Sequence, residues 1–100
     1  MEATDTEIEL TERLDVAKPK KYSVIVFNDD QTPMEFVIEV LIGIFNNTKE
    51  AAEDITLAIH NEGKGIAGIY FYEIAEQKVN ECTNISRSSG FPLSLDIEEI

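Results

Sequence analysis

The run Asn28-Asp29-Asp30-Gln31-Thr32-Pro33-Met34-Glu35-Phe36 most restricts how this chain can fold. It closes an apolar, β-branched stretch and opens a segment with helical periodicity. Thr32 to Glu35 reads as a capping box, in which the threonine hydroxyl accepts an orphan helix N–H and the glutamate reaches back. Pro33 then falls at the first helical position, where its missing N–H costs nothing and its fixed φ suits the helix. Asp29 and Asp30 precede that helix and gain from the positive end of its dipole. A helix start that Thr32 alone can cap leaves two carboxylates and an amide over. That excess points to binding.

The remaining elements follow from periodicity. Tyr22 to Phe27 is rich in β-branched and aromatic residues and predicts a buried strand. From Pro33, the residues Phe36, Val37, Val40, Leu41, Ile44 and Phe45 recur at helical spacing. Gly43 interrupts this helix and weakens it by about 1 kcal/mol relative to alanine, and Asn46-Asn47 stops it. A second helix starts with Asn47 or Thr48 as cap and turns Ala52, Ile55 and Ile59 inward. Asn61-Glu62-Gly63-Lys64-Gly65 ends it, glycine being suited to the left-handed C-cap. Ile66 to Phe71 predicts a short strand. Tyr72 to Ser88 predicts a third helix with Ile74, Ala75, Val79, Cys82 and Ile85 inward, and Leu93 to Ile97 alternates as a final strand. The order is β-α-α-β-α-β. With connections this short, the expected fold is α+β: a small three-stranded, largely antiparallel sheet with three helices packed on one face. Residues 1–20 read as a flexible acidic N-terminal extension ahead of a core domain at 21–100. Ile8, Leu10, Leu14 and Val16 recur in it only loosely, too few for a stable isolated helix.

Composition narrows the partners. A net charge of −12 argues against a nucleic-acid footprint and towards a basic protein surface. No apolar run approaches the roughly 20 residues of a membrane span. The acidic N-terminus lacks the features of a signal or transit peptide, so a cytoplasmic location is expected. Cys82 is the single cysteine, which excludes an intrachain disulfide.

The inventory of reactive groups is thin. One Cys and one His do not make a structural zinc site, and Asn28-Asp29-Asp30 lacks the ligand pattern of a calcium loop. No serine lies in a G-x-S-x-G elbow, and Glu62-Gly63-Lys64-Gly65 is too short for a phosphate loop. No metal, no cofactor and no catalytic activity are expected. His60 stands out instead as a binding group, with Thr56 one turn earlier on the same helix face. One reading is purely structural, a histidine favoured at a helix C-terminus by the dipole. The other pairs it with Asn28 and Asp29 as acceptors around an ammonium group, with Met34, Val37 and Ile59 as apolar walls. Acceptors beside an apolar cavity suit the N-terminus of a polypeptide.

These residues carry a family resemblance. Asn28 to Val37, His60-Asn61-Glu62-Gly63-Lys64-Gly65, Gly68-Ile69-Tyr70 and Ala75-Glu76-Gln77-Lys78-Val79 resemble the ATP-dependent Clp protease adaptor ClpS family, from about Tyr22 to Ile97. The resemblance implies a monomeric, non-enzymatic bacterial adaptor. Such an adaptor binds N-degron substrates by a free N-terminal Leu, Phe, Tyr or Trp and delivers them to the ClpA unfoldase of the ClpAP protease. It implies that Asn28, Asp29 and His60 hold the substrate α-amine, with Asp30 and Thr32 shaping the loop. Met34 would gate a side-chain pocket lined by Val37 and Ile59, and Glu73 and Lys78 would dock the amino-terminal domain of ClpA from one exposed turn of the third helix. The N-terminal extension would engage the unfoldase during delivery. Thr56 departs from the pattern, since many family members carry Met there, and a wider or more polar pocket is expected. The element order also fits a protein-docking module like the C-terminal domain of the ribosomal stalk protein, a likeness of fold alone.

Overall fold

The structure, a computed structural model, describes residues 20–100. The expectations for the extension fall, apart from Lys20, outside the described residues. Strand β1 (Lys21–Phe27) pairs antiparallel with β2 (Lys64–Phe71) on one side and β3 (Ser94–Glu99) on the other. The order is β2-β1-β3. The central position suits the β-branched run of β1: Val24 and Val26 are fully buried, and Ile25 is nearly so. Helices α1 (Met34–Gly43), α2 (Lys49–Glu62) and α3 (Tyr72–Ser88) complete the β-α-α-β-α-β order. The core joins Val24 and Val26 to Val37, Val40 and Leu41 of α1, Ala52 and Ile59 of α2, and Ala75 and Cys82 of α3. This is the α+β architecture expected from the sequence.

Local details differ from expectation. Gly43 does not interrupt α1; it is the last residue. The chain then turns through Ile44 and Phe45, which are buried beyond the helix end, and reverses at Asn46 with φ 60°. Asparagine tolerates that left-handed conformation better than most side chains. Asn47 secures the reversal, its Nδ2 donating to the carbonyls of Leu41 (3.1 Å) and Ala67 (3.0 Å). Ala67 is the extra residue of a β-bulge, because Val24 faces Gly68 while Ile25 faces Ile66. A bulge leaves one residue outside the regular ladder, and Asn47 satisfies its carbonyl. Of the two candidate caps for α2, Thr48 is the one used: its Oγ1 accepts from Ala51 N at 3.1 Å.

The inner face of α3 also differs. Ala75 and Cys82 face inward as expected and Val79 is half-buried, but Ile74 and Ile85 are exposed, and Ser86 is fully buried. Positions 75, 79, 82 and 86 form the helical stripe. Ser86 belongs to it because its hydroxyl donates to the Cys82 carbonyl at 2.7 Å and leaves nothing unmet. Burial pushes the Cys82 thiol pKa up, as befits a packing residue.

Two glycines allow close approach. A side chain at Gly65 would meet Ile59 Cγ1 at 2.9 Å and the Ile55 carbonyl at 3.2 Å, so α2 lies directly on β2 there. At Gly68 it would strike the Tyr70 ring, whose hydroxyl donates to the Phe45 carbonyl at 3.1 Å.

Candidate functional site

The loop that opens the site is organised by Asp29. Its Oδ1 accepts from the backbone N–H groups of Gln31 (2.8 Å) and Thr32 (2.7 Å), and its Oδ2 accepts from the Thr32 hydroxyl (2.8 Å). The expected Thr32–Glu35 capping box does not form. Pro33 is the N-cap and Met34 the first helical residue, with no side-chain cap. The Pro33 carbonyl takes the first bonds, from Phe36 N and Val37 N. The three bonds to Asp29 draw Thr32 back into the loop, with its hydroxyl turned to the carboxylate, and the helix starts one residue later than the box requires. Asp29 turns the chain in an Asx-type loop before the helix begins.

Partial burial works to raise the Asp29 pKa, but the bonds from Thr32 and Gln31, with the Arg87 guanidinium nearby, outweigh it and hold it below its ordinary value of 3.8. For a depressed carboxylate, the stabilisation is fully present above the ordinary pKa and is lost as pH falls through the lower folded value. The loop is therefore expected to stay ordered through pH 4 and to loosen only in stronger acid, which an acid titration followed at the Thr32 amide by NMR checks.

The second half of the site comes from α2. This helix ends at Gly63, whose φ of 94° is the left-handed C-cap and whose N–H returns to the Ile59 carbonyl. The Gly63 carbonyl accepts from Asn28 N at 2.9 Å. One backbone bond thus ties the end of β1 to the end of α2 and sets Asn28 beside His60. Asn28, Asp29, Thr32, Met34, Val37, Thr56, Ile59 and His60 all line one cavity. Asp30 lies outside it, in an adjoining depression of about 240 Å³ shared with Asn28, Asp29, Thr32, Met34 and His60. Asn28, Met34 and His60 are exposed at the rim, whereas Val37, Thr56 and Ile59 are buried.

The inner cavity is small, about 20 Å³, room for about one water. An unbranched, flexible methionine at its mouth can give way to a larger group, and Met34 is 42% exposed. Two lining residues escaped the sequence analysis. Phe27 ends β1 immediately before Asn28, a signal of adjacency that was available. Leu93 was read only as the start of a strand. It is fully buried, in a segment gripped by Arg87, whose Nη1 donates to the carbonyls of Phe91 and Leu93 at 3.0 Å each. No local pattern announces that grip.

Glu73 and Lys78 do not share one exposed turn. Five residues apart, they point about 140° from each other around the helix. Glu73 is exposed and borders a groove with Tyr22, Phe71, Tyr72 and Ile74. Lys78 is half-buried; its Nζ donates to the Ile44 carbonyl at 2.6 Å and lies 5.3 Å from the Tyr70 ring centroid. It supplies a cation at the C-terminal end of α1, where carbonyls lack helical partners.

Fold and site together define a small α+β domain with acceptor groups gathered at the mouth of an apolar cavity. Comparison with known proteins gives the class first, an adaptor of an ATP-dependent protease. The family model for the ATP-dependent Clp protease adaptor protein ClpS matches residues 17–96, and the chain belongs to that family. It is 45% identical to the ATP-dependent Clp protease adapter protein ClpS of Wolinella succinogenes, over 96% of this chain and 94% of that protein. It is 48% identical to the ClpS of Clostridium acetobutylicum, over 85% of this chain and 84% of that one. Among solved structures it resembles Agrobacterium tumefaciens ClpS2 bound to L-phenylalaninamide. The TM-score is 0.79 and the identity 34%, covering 83% of this chain and all of that one. Among the described residues no helix is long and apolar enough to cross a membrane, and no cluster of three His, Cys, Asp or Glu forms a metal site.

Proposed function

We propose that the chain is a non-enzymatic, monomeric cytoplasmic adaptor of the ClpAP protease. It binds substrates by a free N-terminal Leu, Phe, Tyr or Trp and delivers them to the ClpA unfoldase. The observation that carries this reading is the meeting of Asn28, Asp29 and His60 at the rim of a cavity with apolar walls. An α-ammonium sits among these three acceptors, while Val37, Ile59 and Leu93 receive the side chain as Met34 moves aside. A bound L-phenylalaninamide in the ClpS2 neighbour supports it, since that ligand joins a free α-amine to an aromatic side chain. Neither half suffices alone. Burying a large apolar side chain contributes about 1.5–3 kcal/mol, and charge-assisted hydrogen bonds about as much. An internal leucine lacks the amine, and a free N-terminal glycine lacks the side chain.

Glu73 is proposed as the residue that docks the amino-terminal domain of ClpA. Lys78 contributes there while also holding the end of α1, so charge reversal at Glu73 is the cleaner test of docking. The test of substrate recognition is fluorescence anisotropy with labelled peptides differing only in their first residue. Leu, Phe, Tyr and Trp are expected to bind, and N-acetylated Leu and Phe are not. Indifference to acetylation would sink the reading.

A further inference from the structure

We propose that Thr56 is a specificity residue whose Oγ1 accepts a hydrogen bond from the phenol of an N-terminal tyrosine, distinguishing it from phenylalanine. The inference rests on the N-terminus-binding reading above. Among the described residues, two polar side chains are buried, Thr56 and Ser86, and Thr56 is the one that lines the cavity. Behind the rim its neighbours there are apolar: Val37, Ile59 and Leu93. The Thr56 hydroxyl already donates its proton to the Ala52 carbonyl at 2.7 Å. A hydroxyl has one proton and two lone pairs, so towards a ligand this oxygen acts as an acceptor. A leucine or phenylalanine then strands no donor of the protein, whereas a tyrosine brings the one group the oxygen still accepts.

The spacing fits. Thr56 is buried one helical turn before the exposed rim residue His60, about 6 Å along the α2 axis. A tyrosine spans a similar length from its Cα to its phenol oxygen. An ammonium held at the His60 level thus puts the phenol near the Thr56 level.

The experiment measures affinities of peptides beginning with Tyr, Phe or 4-fluorophenylalanine for the wild type, Thr56→Val and Thr56→Ser. Valine keeps the shape and removes the acceptor. It would strand the phenol, so the Tyr-to-Phe affinity ratio is expected to fall about tenfold, with Phe binding within about twofold of wild type. Thr56→Ser keeps the hydroxyl and is expected to keep the ratio. The wild type is expected to treat 4-fluorophenylalanine like Phe, a result that needs no variant to fold. An unchanged ratio in Thr56→Val, or equal weakening of Tyr and Phe, would overturn the inference while leaving N-terminus binding intact. Failure of every peptide to bind the wild type would overturn the underlying reading and this inference with it.

Discussion

Asp29→Ala is expected to weaken binding of a peptide with a free N-terminal phenylalanine by about a hundredfold or more. Two losses combine. The ammonium loses its one carboxylate in the expected acceptor set, and a charge-assisted hydrogen bond is worth about 1.5–3 kcal/mol. The loop also loses the acceptor of three bonds, from Gln31 N, Thr32 N and Thr32 Oγ1, and with them the register that sets Asn28 and Met34 at the rim. Together these exceed the roughly 2.7 kcal/mol that a hundredfold change requires. Asp29→Asn keeps a side-chain oxygen for the backbone amides and should fall between alanine and wild type. Binding of the alanine variant within threefold of wild type, by anisotropy, would remove Asp29 from the recognition mechanism.

The second large effect concerns stability. Leu41 is fully buried in the core cluster, whereas its neighbour Ile42 is 39% exposed. Leu41→Ala removes packed methyl groups and leaves a cavity, at a cost of about 3–5 kcal/mol. A domain of this size has only about 5–15 kcal/mol in total, so the variant should unfold at markedly lower urea concentration. Ile42→Ala, on the same helix but at an exposed position, should cost under about 1 kcal/mol. Equal midpoints for the two variants would contradict the placement of the Leu41 face of α1 in the core. α1 also carries Met34 and Val37 into the cavity, so saturating peptide should restore part of the lost stability by mass action.

How much of this was legible in advance depends on the range of each interaction. Strand β1, the span of α3 and the glycine stop after α2 were readable because they rest on periodicity and on one residue's conformational freedom. The Thr32 cap was misread. Its local pattern was sound, but the bonds to Asp29 three residues earlier hold Thr32 in the loop, and the N-cap falls at Pro33. The core side of α3 was misassigned at Ile74 and Ile85 for another reason: hydrophobicity does not tell which apolar residues face a sheet, and Ser86 enters the core only because its hydroxyl bonds within the helix. The pairing of Glu73 with Lys78 on one exposed turn came from the resemblance, and it missed that Lys78 is half-buried against the end of α1.

By itself, the sequence determined the order of the elements, the fold class and which side chains carry free acceptor groups, since these follow from local conformational preference and side-chain chemistry. Only the tertiary structure decided where those residues stand. Asn28 is set beside His60 by a backbone bond to Gly63, 35 positions away, Leu93 enters the cavity through the grip of Arg87, and Lys78 is drawn inward to the Ile44 carbonyl just past the end of α1. The first and third of these join segments distant in the chain, and the second closes the turn after α3. The energy of each depends on packing geometry, which periodicity and residue type do not encode.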